Sequence, residues 1–347
     1  MTDTGMPSLH DVIAARSYVY RYLKPTPLYR YSGLSELVGA DVWVKHENHQ
    51  PVGAFKVRGG VNLVAHLSER ERDSGLFTAS TGNHGQSIAY AARVQGLRAT
   101  IAVPEGANPG KVAAMRGLGA EVVFHGRDFD SAREWIEGVA RERGGRFVGP
   151  TEELLMHGVG TYALEILEDL PEVDAIIVPV GAGSGVCATA IVAKAIDPRI
   201  AVIGVQSAQA PATQLSWVSG KAVSADMNTV AEGLATRIAF ENTQRIMRKY
   251  LDDFVLVEDD AIEDAIMLLL EHTHNLAEGA GAASLAAALQ LKGRLAGKQV
   301  VLVMSGGNLS IDQLRRLLAR PGLQGGRIEP APGLSAKKGR ALPLARS

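Results

Sequence analysis

Short apolar runs rich in β-branched residues alternate along this chain with amphipathic stretches of helical length, the pattern of a parallel sheet covered by helices. The runs Asp41 to Lys45, Leu76 to Ser80, Ala99 to Pro104, Glu121 to Phe124, Ala175 to Val180, Ala201 to Val205 and Val300 to Met304 predict seven strands at least. Between them the spacing predicts helices from Ser8 to Leu23, Lys56 to Leu67, His84 to Gln95, Pro109 to Leu118, Asp128 to Arg143, Gly185 to Ile196, Asp259 to His272 and Ala280 to Leu291. Pro109 near a helix start, and Gly96 and Gly119 after helix ends, supply the usual punctuation. The regular alternation favours an α/β fold over segregated α+β.

No repeat period or low-complexity block breaks this pattern before about residue 320. From Arg320-Pro321-Gly322 onward the chain turns rich in Gly, Pro and basic residues with little to bury, which predicts a disordered tail over 321–347. Lys337, Lys338 and Arg340 are expected to be a solvated end rather than a binding patch.

Composition narrows the function. The 347 residues suffice for two lobes with a site between them, and 46% hydrophobic with 21% charged residues describes an ordinary soluble protein. With 36 basic and 37 acidic residues the formal net charge is -1, so no broad field exists to hold nucleic acid or an anionic membrane, and a small-molecule partner is expected. Cys187 is the only cysteine, which excludes an intrachain disulfide and a cysteine zinc cluster and suits a reducing cytosol. No signal-peptide run and no membrane-length apolar stretch is present, so a cytoplasmic location is expected.

Three glycine-marked segments stand where strands should end, the edge at which open α/β sheets bind ligands. Gly181-Ala182-Gly183-Ser184-Gly185 falls between a strand and a helix, where backbone amides can close around an anion at the helix start. A dinucleotide site is the competing reading, but its fingerprint needs a later third glycine and an acidic residue after the next strand, where this chain has Gln206. A bare strand-to-helix turn is the other alternative.

Ser80-Thr81-Gly82-Asn83-His84-Gly85-Gln86 occupies a similar junction. Its amides and the Thr81 hydroxyl can grip a carboxylate and Asn83 can bond a ring oxygen, although a capped turn would look the same. In Ser305-Gly306-Gly307-Asn308 a hydroxyl could pair with a heterocyclic nitrogen while the glycines let the backbone pass a flat ligand; a plain turn is equally consistent.

A fourth segment, Gln50 to Gly60, sets Phe55 and Lys56 at a helix start. A lysine in apolar surroundings becomes a nucleophile and base near neutral pH, the requirement for an imine with an aldehyde cofactor, whereas a solvated lysine is inert. His46-Glu47-Asn48-His49 lacks the spacing of a zinc motif and is expected to be a strand end.

Together the four segments resemble the threonine and serine dehydratase group of fold-type II pyridoxal-phosphate enzymes, with serine racemase and hydroxyaspartate dehydratase as relatives, from about Asp11 to about Leu318. The resemblance implies a two-lobed α/β fold of the tryptophan synthase β kind, with parallel twisted sheets wrapped by helices. It implies a large cofactor-binding domain over 1–68 and 154–320 and a small mobile domain over 69–153. Matched position by position, Lys56 is the Schiff-base lysine, Phe55 packs on the cofactor ring, and Asn83 bonds its 3-hydroxyl. Gly181, Ala182, Gly183, Ser184 and Gly185 form the phosphate loop, Gly233 makes a backbone contact beside the ring, and Ser305 meets the pyridine nitrogen. Ser80, Thr81, Gly82, His84 and Gly85 receive the substrate carboxylate.

Several positions depart from the family. Ala182 and Ser184 replace glycines of the phosphate loop, and Ala54 replaces the serine before Phe55-Lys56. Gln206, Ala210 and Ala212 stand where metal-dependent members place a glutamate, a carbonyl donor and an aspartate, so no divalent metal is expected there. Thr81 occupies the place of the second-face serine of serine racemase, and its branched methyl favours dehydration over racemisation. Ser305, a neutral partner, makes the ring a weaker electron sink than an aspartate would, which favours expulsion of a β-substituent.

The expected reaction removes water and then ammonia from threonine, serine, 3-hydroxyaspartate, phenylserine or a similar amino acid, with Ala208 to Thr229 and Arg237 framing the β-substituent pocket. A racemase or β-replacing enzyme on the same fold, and a non-catalytic nucleotide-binding module, are the rival readings. A homodimer is implied by the resemblance alone.

Overall fold

A computed structural model of the chain describes residues 6–320. The expected tail, including Lys337, Lys338 and Arg340, lies outside the described residues. Ten strands are present among the described residues: β1 (Leu28–Arg30), β2 (Asp41–His46), β3 (Leu76–Ala79), β4 (Ala99–Val103), β5 (Glu121–Phe124), β6 (Arg146–Phe147), β7 (Ala175–Pro179), β8 (Ala201–Ser207), β9 (Asp253–Val257) and β10 (Gln299–Met304). They form a six-stranded sheet in the order β1-β2-β10-β7-β8-β9 and a four-stranded sheet in the order β5-β4-β3-β6. Every pairing is parallel except β1 with β2.

Continuous apolar strands make sense because both faces of each sheet are buried. In the larger sheet Ala175, Ile177, Val300 and Leu302 face one core with the helices Asp259–Thr273 and Gly279–Gln290. Their neighbours Ile176, Val178, Val301 and Val303 face a second core with Thr161–Asp169 and Ser184–Ile196. The smaller sheet divides in the same way. Leu76, Ile101 and Val103 meet the helices Lys56–Ala65 and Asn83–Val94, while Phe77 and Ala102 meet Phe129–Glu142.

All seven expected strands form, with ends displaced by a residue or two, and β1, β6 and β9 are additional. So are several helices, among them Glu153–Val159, Thr161–Asp169, Ala212–Ser219 and Glu241–Tyr250. His46 closes β2 and Glu47–His49 is a single 3-10 turn, a strand end as expected.

A buried ionic cluster fixes the helix that begins at Lys56. The Arg58 guanidinium, 0% exposed, bonds Glu47 at 2.7 Å through Nε and Glu165 at 2.6 Å through Nη1. Glu165 also takes the Lys45 amine at 2.6 Å and the Tyr20 hydroxyl at 2.8 Å. Both carboxylates raise the affinity of Arg58 for its proton against the cost of burial.

Candidate active site

Four loops converge at the carboxyl ends of β2, β3, β7 and β10, where crevices form in sheets of this kind. The segment leading to Lys56 is held against the end of β10: Ala54 bridges Gly306, the Phe55 amide donates to the Ser305 carbonyl at 3.1 Å, and the Gly307 amide donates to Gly53 at 2.9 Å. These bonds set Lys56 at the first position of its helix.

The Lys56 amine lies 5.5 Å from the centroid of the Phe55 ring. Burial lowers its pKa to about 8, and the Glu278 carboxylate offsets part of that fall. Phe55 joins this corner to the glycine loop. Its ring atoms stand 3.3 Å from where a Cβ on Gly185 would lie, and Tyr162 meets the ring edge-on at 6.0 Å while donating to the Gly185 carbonyl at 3.1 Å.

The loop Gly181 to Gly185 is shaped by its carbonyls. Thr213 donates to the Gly181 carbonyl at 3.1 Å and Thr243 to the Ala182 carbonyl at 2.8 Å. Among the described residues the amides of Gly181 to Val186 donate to no backbone carbonyl, and they gather at the start of the helix Ser184–Ile196. Such a nest is a binding place for a phosphate dianion. Gly183 holds a φ of 102°, where an added Cβ would also come within 2.9 Å of Thr243. A Cβ on Gly181 would strike the Gly233 carbonyl at 2.3 Å, which places Gly233 against the loop.

Across the crevice, the Ser80 hydroxyl accepts the Gly82 amide at 3.2 Å and the helix Asn83–Val94 follows with Gly82 as its cap. Thr81 and Gly82 are partly exposed, and Gly85 is buried against Met115 and Ser80. His84 is buried with Nε2 3.2 Å from the Val148 carbonyl; burial, helped by Lys56, lowers its pKa to about 3, so the imidazole is neutral. Its bonded nitrogen is thus turned to the backbone after β6 rather than to the crevice.

The Asn83 amide donates to Glu278 Oε1 at 2.6 Å and accepts from Asn308 Nδ2 at 2.8 Å. Ser305 is buried at the end of β10. The Lys111 amine bonds the Glu232 carboxylate across the mouth and stands 3.9 Å from the Cβ position of Gly82.

Glu278 and Lys111 were not anticipated from the sequence. Glu278 opens Glu278-Gly279-Ala280-Gly281, the start of a helix otherwise built of small apolar residues, and nothing local to that stretch ties it to the site. At the position compared with a metal site, Gln206 donates to the Leu234 carbonyl at 3.2 Å and accepts the Gln214 amide at 3.1 Å, so both ends of its amide are engaged within the chain. Among the described residues no group of three or more His, Cys, Asp or Glu could hold a metal ion, and no helix is long and apolar enough to cross a membrane.

The donor set fits a flat phosphorylated aldehyde. A nest of free amides lies at one end of Phe55, a desolvated primary amine near its ring, a hydroxyl at Ser305, and a fixed amide at Asn83. Comparison with known proteins agrees. Residues 19–306 match the family described as pyridoxal-phosphate dependent enzyme. An L-threonine ammonia-lyase from Thermotoga maritima is 38% identical over 324 residues, 93% of this chain and 80% of its own. The processed form of threonine deaminase isoform 2 from Solanum lycopersicum superposes with a TM-score of 0.85 at 31% identity, over 89% of this chain and 91% of its own. Maize serine racemase superposes with a TM-score of 0.86 at 30% identity, over 89% and 96%. With that match spanning most of its length, the chain belongs to the pyridoxal-phosphate dependent enzyme family.

Proposed function

We propose that the protein is an ammonia-lyase that takes water and then ammonia from a small β-hydroxy amino acid of the threonine or serine type, leaving a 2-oxo acid. The observation that carries this reading is the Lys56 amine, desolvated to a pKa of about 8 beside Phe55 and between the glycine loop and the asparagine loop. The threonine ammonia-lyase of T. maritima and the tomato threonine deaminase support the substrate class.

When bound, pyridoxal phosphate supplies an electron sink conjugated to the substrate Cα. Lys56 would hold it through Nζ, and the same amine, when free, would be the base that takes the Cα proton. At a pKa of about 8 roughly a tenth of such amines are neutral at pH 7, against about one in 3,000 at 10.5. The amides of Gly181 to Gly185 would hold the phosphate, the Phe55 ring and the Gly233 backbone would flank the ring, and Asn83 would donate to its oxygen. Ser305 would meet the ring nitrogen as a neutral hydroxyl, a weaker electron sink than a carboxylate partner would give, which suits loss of a β-substituent.

The substrate carboxylate is taken by the Ser80 to Gly85 loop, with the Thr81 hydroxyl and the helix start as donors. His84, neutral and anchored on Val148, fixes the course of that loop. We assign 1–68 and 154–320 to the cofactor lobe and 69–153 to a smaller mobile lobe that brings the carboxylate loop to it. The pairs Lys111–Glu232 and Arg237–Asp130, the latter at 3.7 Å, link the two. The lone buried Cys187 suits the cytoplasm, and a homodimer is the assembly we expect, to be measured by light scattering.

The test is a panel of L-threonine, L-serine, 3-hydroxyaspartate and phenylserine assayed for oxo acid, ammonia and enantiomer. Oxo acid and ammonia in equal amounts are expected. Formation of the D-enantiomer without oxo acid would replace the lyase reading by a racemase, for which the Thr81 hydroxyl is the available second-face group.

A further inference from the structure

Glu278 is a buried carboxylate for which the mechanism above has no use, yet it lies among the groups that mechanism needs. It caps the helix Gly279–Gln290, and its own amide donates to the Gly306 carbonyl at 3.1 Å. Its Oε1 stands 2.4 Å from where a Cβ on Gly306 would be, so the carboxylate lies over the backbone that follows Ser305. The same oxygen accepts the Asn83 amide at 2.6 Å.

Asn308 holds Asn83 from the other side. Its Nδ2 donates both to the Val52 carbonyl and to Asn83 Oδ1, each at 2.8 Å, which uses both of its hydrogens. Asn83 therefore has one orientation: its oxygen faces Asn308, one N–H faces Glu278, and a single N–H remains. The reverse orientation would set its oxygen against a carboxylate and its NH₂ against another NH₂, leaving buried groups unpaired.

We propose that Glu278 is a positioning residue for the reaction: it aims the remaining N–H of Asn83 at the cofactor ring oxygen and places a fixed negative charge beside the Lys56 linkage. This rests on the reading of Lys56 and Asn83 as cofactor-holding residues. The groups acting on Glu278 are Lys56 from the helix Lys56–Ala65, Lys111 from the helix Pro109–Gly117, Glu232 from the turn Glu232–Leu234, and Asn83 from the helix Asn83–Val94. Burial, joined by Glu232, raises the carboxyl above the ordinary carboxylate range, and Lys111, Asn83 and Lys56 offset part of that rise. Against that rise stand two lysines and the Asn83 donor on Oε1, the groups with which an ionised Glu278 would pair.

A carboxylate beside a protonated nitrogen raises the pH at which that nitrogen loses its proton by about 1 to 3 units. The experiment is absorbance of the protein loaded with pyridoxal phosphate, recorded against pH, with the cofactor dissociation constant measured in parallel. Glu278→Gln keeps an oxygen for Asn83 but removes the charge. The visible transition is expected to fall by about one unit or more, or to enter the measured range from above, with affinity within about threefold of wild type. Asn308→Ala removes orientation and keeps the charge, and is expected to weaken cofactor binding about fivefold with the transition unmoved.

A Glu278→Gln profile that superimposes on wild type, with unchanged affinity, overturns the proposal. Wild-type protein that gives no cofactor absorbance, or Lys56→Ala that binds cofactor with the wild-type spectrum, overturns instead the reading on which it rests.

Discussion

The Ser87 hydroxyl donates to the main-chain carbonyl of Lys56 at 2.6 Å, tying the helix Asn83–Val94 to the helix that begins with Lys56. The approach is close because Gly60 has no side chain. A Cβ there would lie 2.4 Å from Ser87 Oγ and 2.8 Å from its carbonyl oxygen. Gly60→Ala should therefore cost about 1 to 3 kcal/mol through overpacking. Combining it with Ser87→Ala should recover part of the loss, since one of the two clashes disappears, and urea midpoints of the single and double variants measure this. Strict additivity would mean that the helices are not in the contact described.

The Arg58 cluster makes a sharper prediction about stability. Removing the guanidinium leaves Glu47 and Glu165 buried and partly unpaired, so Arg58→Ala should lose about 3 to 5 kcal/mol. Arg58→Lys should recover little of it, because an ammonium cannot reproduce the forked contacts to two carboxylates. Denaturation of each variant decides the matter; a near-wild-type Arg58→Lys would show that charge alone suffices.

The depressed pKa of Lys56 has a signed consequence for pH. Its folded value, about 8, lies below the ordinary 10.5, so the unfolded chain binds the extra proton between these two values. In the cofactor-free protein this group's destabilisation is full below about pH 8 and is relieved as pH rises toward 10.5. The rate at which the cofactor-free protein captures pyridoxal phosphate should rise with a midpoint near 8. A midpoint near 10.5 in stopped-flow absorbance would show an ordinary solvated lysine.

For the glycine loop the discriminating measurement is the phosphate itself. Gly183→Ala forces a side chain into a φ of 102° and against Thr243, at a strain of about 1 to 3 kcal/mol. Binding of pyridoxal phosphate should weaken about tenfold or more while binding of pyridoxal, which lacks the anion, changes little. Equal losses for both would place the phosphate elsewhere.

What could be read along the chain followed from contrast. Strands bounded by glycine and polar residues, such as Ala175–Pro179 before Gly181, announce themselves, and so do the loops behind them. Thr161–Asp169 did not, because all but its last two residues are buried and Tyr162, Glu165 and Leu167 lie in the interior together, leaving no polar face to mark a helix. Asp253–Val257 reads as apolar as its neighbours, but no glycine sets it apart. Within the site, Lys56, Asn83 and the Gly181 loop were visible as local motifs. Glu278 was not, since its meaning depends on Asn83, 195 positions away, and on folding that brings β10 beside both.

The chain leaves the six-stranded sheet after β2, builds the whole four-stranded sheet, and returns through Glu153–Val159 before β7. Exit and return touch: the Cβ position of Gly59 is 2.7 Å from the Leu155 carbonyl oxygen, and that of Gly158 is 2.3 Å from the Arg58 carbonyl oxygen. Topologically the smaller sheet is a cassette spliced into the larger unit at one seam, two residues from Lys56. A graft exchanged at that seam would replace the loop Ser80 to Gly85 wholesale while leaving the loops that follow β7 and β10 as they stand.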